Sequence, residues 1–199
     1  MKSLGRAPAL AQSQSQSQSL SLALALALAL IVSASAARPA GAAESRLIDQ
    51  FGRPVDAREF NGHWLLVYFG YASCREICPA SLTTMTAVLN RLGPRAAAID
   101  PLFVTLDPAH DSPAVMRAFI GNFHPRIRAL TGSLQAVTDA ARTFEVPWKS
   151  SSNSPVSDHG TLFYLVGPDG QVVQMLHPQQ PIGELAAAIV KHLSATARS

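Results

Sequence analysis

The chain has 199 residues, of which 48% are hydrophobic and 15% are charged, a balance that suits one globular domain plus a terminal segment. Its formal net charge of +3 comes from the N-terminal segment, because Lys2, Arg6 and Arg38 all precede the first acidic residue, Glu44. The rest of the chain carries equal numbers of basic and acidic residues and has no basic stripe, so nothing in it indicates nucleic-acid binding.

Residues 1–43 have the order of a secretory signal peptide. Lys2 and Arg6 give a positive start, and an apolar run comes after them over Leu20–Val32. The small residues Ala34–Ala36 come next, as they do at signal cleavage sites. We therefore leave this segment out of the fold prediction.

The same segment has an alternative interpretation as an N-terminal membrane anchor. Residues 20–37 form an 18-residue stretch, close to the roughly 20 residues that span a bilayer as a helix. The basic residues before it favour export of the remaining chain in either case. The sequence thus predicts that a domain over residues 44–199 is exported from the cytoplasm, either released or anchored to the membrane.

The first predicted elements surround the cysteines. Leu47–Phe60 is a short hairpin or an irregular lead-in, and Trp64–Phe69 is apolar throughout, as in a central strand of a covered sheet. From Cys74 to Leu92, apolar residues recur at helical spacing, with Ser73 as the expected N-cap and Gly93 at the end.

The remaining elements complete an α/β pattern. We predict a second buried strand over Leu102–Leu106 and helices over Ser112–Ile120 and Leu134–Phe144. A polar loop follows over Trp148–Asp158 and a hairpin over Thr161–Leu176, and the closing helix is Pro181–Leu193. Alternating strands and helices indicate a central mixed β-sheet flanked by helices. A β-α-β unit succeeded by a β-β-α unit is typical of a thioredoxin-like fold.

Cys74 and Cys78 are the only cysteines, and both lie in the exported part. A disulfide is usual in an oxidising compartment, but one that encloses three residues stabilises little. Residues four apart on a helix share a face, so the two sulfurs could form a redox-active disulfide or bind one ion. A helix start lowers a thiol pKa; Arg75 would add to this effect and Glu76 would oppose it. The alternative is an inert local disulfide.

A metal site would need a third ligand, for which histidine is the candidate. Six are available: His63, His110, His124, His159, His177 and His192. His159 comes after the long polar loop and precedes a buried strand, and in a thioredoxin-like layout that loop abuts the cysteine turn. A soft Cys2His set suits Cu(I) and can hold Cu(II), whereas structural zinc would require a fourth ligand.

Five segments carry a recognisable pattern, in this order: Phe69–Pro79, Phe103–Pro113, Phe123–Pro125, Leu130–Ser133 and Ser157–Leu165. Together they resemble the Sco/SenC family of copper-binding proteins. The similarity extends over about residues 45–193 and includes two cysteines separated by three residues and then proline. Arg75-Glu76 departs from the Pro-Asp pair common in that family, which leaves the balance between metal delivery and redox work open.

The resemblance implies copper, Cu(I) or Cu(II), bound by Cys74, Cys78 and His159. It also implies a role in assembling the copper centre of cytochrome c oxidase, with the copper-accepting subunit, another copper chaperone or a thiol reductase as partners. A metallochaperone has no turnover of its own; the alternative is a thiol-disulfide oxidoreductase in which Cys74 and Cys78 are catalytic. Asp107 and Asp111 either support the site or shape a turn, and shaping the turn is the favoured interpretation.

Overall fold

The computed structural model describes residues 46–147 and 162–196. Within these ranges six strands form a single sheet, in the order β1-β4-β3-β2-β5-β6. The strands are β1 Leu47–Asp49, β2 Trp64–Gly70, β3 Ile99–Thr105, β4 Arg128–Gly132, β5 Phe163–Val166 and β6 Val172–Leu176. The α-helices are α1 Ile77–Leu92, α2 Pro113–Ile120, α3 Leu134–Thr143 and α4 Ile182–Thr196. Two short 3-10 helices lie at Ala57–Phe60 and Gly93–Ala98.

The sheet is mixed and covered on both faces. β2, β3 and β4 are parallel neighbours, while β1, β5 and β6 pair antiparallel. Every residue of β2 is buried, and its side chains alternate between two cores. Helices α1, α2 and α4 pack on one face and α3 packs on the other. This confirms the predicted α/β, thioredoxin-like architecture.

Two strands were not predicted, because neither has a long apolar run. β1 is three residues long and β4 is five, and they pair with each other in the register Leu47↔Gly132 to Asp49↔Leu130. The lead-in does close on itself through an antiparallel bridge from Ile48 to Pro54. Pairing across some 80 residues, rather than local periodicity, therefore defines these two elements.

The predicted start of the first helix was wrong by three residues. α1 begins at Ile77 instead of Cys74, and its N-cap is Glu76 rather than Ser73. Pro79 explains the shift: it becomes the third helical residue, where its missing N–H would have no intrahelical partner in any case. Cys74 therefore lies in the loop before the helix, and Cys78 lies in the first turn.

No helix within residues 46–147 and 162–196 is long and apolar enough to cross a membrane. The predicted signal peptide or anchor over residues 1–43, with its apolar stretch 20–37, lies outside the described residues.

Candidate metal and thiol site

The cysteine loop connects the carboxyl end of the central strand β2 to helix α1. Ligands of open α/β sheets bind at this edge. Gly70 is the last residue of β2, and a Cβ there would lie 2.8 Å from the Sγ of Cys78 and 2.9 Å from the Cε2 of Phe103. Only glycine therefore leaves room for the Cys78 sulfur to lie directly against the end of the strand.

The two cysteine sulfurs converge even though only one cysteine is helical. The backbone N–H of Cys78 donates to the Sγ of Cys74 at 3.3 Å, and each thiol shifts the pKa of the other. No disulfide joins them. Cys74 is half-buried, whereas Cys78 is fully buried. The spacing of four residues therefore brings the sulfurs together, as the sequence predicted.

The environments of the two thiols push their pKa values apart. Burial acts to raise the pKa of Cys74, but hydrogen bonds from the Cys78 N–H and thiol and from the N–H groups of Glu76 and Ile77 outweigh it, so this pKa is lowered. Burial raises the pKa of Cys78 to about 12, and the neighbouring Cys74 sulfur adds to the effect. Cys74 is thus the accessible thiol that ionises more readily, and Cys78 is its buried partner, a division found at reactive cysteine pairs.

Asp111 anchors the cysteine loop, a role beyond the turn-shaping one expected from the sequence. Its Oδ2 accepts the N–H of Ala72 at 3.0 Å and the hydroxyl of Thr105 at 2.6 Å. Its backbone carbonyl accepts the hydroxyl of Thr131 at 2.7 Å. Because Asp111 is 1% exposed, these bonds connect the loop rigidly to the ends of β3 and β4. Asp107 does belong to the turn, through its contact with His110 at 2.8 Å.

The histidines other than His159 and His177 make specific contacts of their own. The pairs are His63 with Asp100 at 2.7 Å, His110 with Asp107 at 2.8 Å, His124 Nδ1 with the Arg126 N–H at 3.2 Å, and His192 with Gln174 at 3.0 Å. No cluster of three metal-ligating side chains occurs within the part of the chain that the structure describes. His159 lies outside those residues, so its role as third ligand stays a prediction.

The sequence interpretation missed two residues that touch Cys78. Gly70 was treated as a strand break, and Tyr68 was treated as an ordinary core residue of the apolar run. Tyr68 is fully buried, and its hydroxyl faces the thiol of Cys78 and the hydroxyl of Ser81 without reaching hydrogen-bond geometry with either. Burial, and after it the nearby Cys78 sulfur, raises the pKa of Tyr68. The available signal was a phenol in an otherwise apolar strand.

Comparison with known proteins places this site in a family. The SCO1/SenC family model matches residues 34–194. The mitochondrial SCO2 homolog of Danio rerio is 35% identical over 167 residues, which cover 79% of this chain and 59% of that protein. The chain thus spans about three-fifths of the length of that relative.

Solved structures agree with the sequence match. Yeast Sco1 with copper bound superposes with a TM-score of 0.67 at 33% identity, covering 75% of this chain and 86% of that one. Bradyrhizobium japonicum ScoI with copper bound gives a TM-score of 0.66 at 29% identity, covering 74% of this chain and 96% of that one. The chain belongs to the SCO1/SenC family, as its motifs indicated.

Proposed function

We propose that this protein is an extracytoplasmic copper metallochaperone that holds one copper ion between Cys74, Cys78 and His159. The observation that carries the proposal is the convergence of two unbridged cysteine sulfurs at the carboxyl edge of the sheet. Two thiolates and one imidazole form a soft donor set, which suits Cu(I) and tolerates Cu(II). Family members of known structure, yeast Sco1 among them, have been crystallised with copper bound.

The donors of this chain fit copper as cargo. Cys74 supplies a thiolate at low cost, since its pKa is already lowered. Burial raises the pKa of Cys78 to about 12, so this thiol keeps its proton until it binds the ion. Because that proton is released on binding, copper affinity should increase with pH. Backbone N–H groups at the start of α1 act on the Cys74 sulfur and stabilise its negative charge.

The partner and the location belong to the same proposal. The copper-accepting subunit of cytochrome c oxidase would receive the ion, and another copper chaperone or a thiol reductase would load or reduce the site. Residues 1–43 would direct the domain to the periplasm as a cleaved signal or, through residues 20–37, as an inner-membrane anchor. Two relatives, the SCO2 homolog of Danio rerio and SCO1 of Saccharomyces cerevisiae, are mitochondrial proteins.

A thiol-disulfide oxidoreductase is the second candidate, and the unequal thiols favour it. The Cys74 thiolate would attack a partner disulfide and form a mixed disulfide, and Cys78 would then displace the partner as a dithiol. The products would be a Cys74–Cys78 disulfide and a reduced partner. A pair that does not cycle between these states with a dithiol reductant would exclude this candidate.

Competition for copper tests the leading proposal. The reduced protein should hold one equivalent of Cu(I) against a moderate chelator, and Cys74→Ser should abolish this binding because one soft ligand is lost. His159→Ala should weaken Cu(II) binding sharply. His110→Ala is the matched control, since His110 contacts Asp107 instead, and it should bind like the wild type. Failure of the wild type to retain Cu(I) would overturn the proposal.

A further inference from the structure

The hydroxyl of Tyr68 is a buried polar group to which neither the fold nor the cysteine pair gives a role. Within the described residues, it alone among buried side-chain polar atoms has no hydrogen-bond partner. An unsatisfied buried hydroxyl lowers stability, and phenylalanine would fill the same space without that cost. Packing alone therefore does not account for a tyrosine at this position.

The ring of Tyr68 is fixed in place. It stacks on Phe103 with 6.0 Å between ring centroids and meets Phe163 edge-on at 5.6 Å. The flanking backbone is held in the sheet, because Tyr68 pairs with Phe103 of β3 on one side and Phe163 of β5 on the other. The hydroxyl oxygen cannot move to another site without disrupting both aromatic contacts.

The same ring lies beside the Cys78 sulfur. A Cβ at Gly70 would be 2.8 Å from the Sγ of Cys78 and 3.4 Å from the Cε1 of Tyr68. The sulfur and the ring therefore both lie next to Gly70. Both also belong to the same buried core, and the hydroxyl faces the thiol. The phenol hydroxyl therefore lies beside a buried sulfur whose charged form a hydrogen-bond donor would stabilise.

We propose that Tyr68 is a positioning residue for Cys78, whose hydroxyl donates a hydrogen bond to the Cys78 sulfur once that sulfur is a metal-bound thiolate. This inference rests on the proposed function. When copper binds, the Cys78 proton passes to solvent and the sulfur becomes a pure acceptor. The phenol then gains the partner it lacks in the metal-free protein, and this charge-assisted bond holds the buried ligand in place.

Tyr68→Phe, made in the full chain, tests the proposal. The metal-free, reduced variant should be at least as stable in urea as the wild type, because an unsatisfied hydroxyl has been removed. Its dissociation constant for Cu(I) should nevertheless rise about 10- to 100-fold, the usual effect of losing a partner of a ligand. The thiolate-to-Cu(II) charge-transfer band should move to lower energy, since a sulfur without its donor gives up electrons more easily.

Tyr164→Phe is the matched control. Tyr164 is also buried in the sheet, but it belongs to the core on the opposite face from Cys78. Its substitution should leave both the Cu(I) affinity and the charge-transfer band unchanged.

Equal affinity and an unshifted band in Tyr68→Phe would overturn the inference alone. A loss of affinity only in proportion to a loss of stability would also overturn it, since packing would then be the cause. Failure of the wild type to bind Cu(I) would overturn the proposed function and this inference together.

Discussion

Gly70→Ala tests how the fold holds the Cys78 sulfur. The added methyl would sit 2.8 Å from the Cys78 Sγ and 2.9 Å from the Phe103 ring, inside the roughly 3.5–4.0 Å at which nonbonded atoms attract. Overpacking of this kind costs about 1–3 kcal/mol, offset by about 0.5–1 kcal/mol for replacing a strand glycine. We expect a net loss of about 1–2 kcal/mol in the free energy of unfolding and weaker Cu(I) binding.

Urea unfolding of the reduced protein, together with competition for Cu(I), measures both effects. Gly183→Ala is the matched control: its nearest neighbour would be Arg91 at 4.0 Å, and it lies in α4. It should gain up to about 1 kcal/mol in stability and bind Cu(I) normally. A Gly70→Ala protein with wild-type stability and affinity would refute the idea that contact with the strand end fixes the sulfur.

Three further predictions concern the thiols and the buried carboxylate. Iodoacetamide should label Cys74 before Cys78, because Cys74 is the more exposed thiol and its pKa is lowered. The labelling rate of Cys74 should reach half its maximum at a pH below the ordinary thiol pKa of 9.0, as measured by peptide mass spectrometry. Urea unfolding of Asp111→Ala should show a loss of about 2–5 kcal/mol in the free energy of unfolding, because the Ala72 N–H and the Thr105 hydroxyl lose their acceptor. Asp111→Asn keeps an acceptor oxygen and should stay within about 1 kcal/mol of the wild type. Burial raises the pKa of Asp111 above its ordinary 3.8, so the stability of the wild type relative to Asp111→Asn should rise as the pH falls through that raised pKa.

Each of these predictions has a contrary result. Labelling of Cys78 first would mean that the burial of the two thiols has been assigned the wrong way round. Equal losses in the alanine and asparagine variants of Asp111 would mean that its shared acceptor oxygen does not hold the loop. A stability difference between the wild type and Asp111→Asn that does not change with pH would mean that burial does not raise the pKa of the Asp111 carboxyl.

The central strands and the main helices were readable from the sequence, because their apolar patterns are long. β2 and β5 are apolar at nearly every position, and α2 begins at Pro113, one residue after the predicted start at Ser112. β1 and β4 were missed because their pairing joins residues far apart in the chain. The start of α1 was misplaced because apolar spacing was weighted above the position of Pro79.

The cysteine pair could be identified from sequence, but its supports could not. The bond from Ala72 to Asp111 joins residues 39 apart, and nothing in either local sequence predicts it. The split in thiol pKa values depends on Cys78 lying under the strand end at Gly70, a packing detail that spacing alone does not reveal. Arg75, expected to lower the pKa of Cys74, is not among the main contributors; backbone N–H groups and the Cys78 thiol lower it instead.

X-ray absorption spectroscopy of the Cu(I)-loaded protein tests the ligand set most directly. We predict two sulfur ligands and one imidazole nitrogen in the wild type, two sulfurs without the imidazole in His159→Ala, and no change in His110→Ala. A wild-type site with fewer than two sulfurs, or an imidazole that persists in His159→Ala, would contradict copper binding by Cys74, Cys78 and His159.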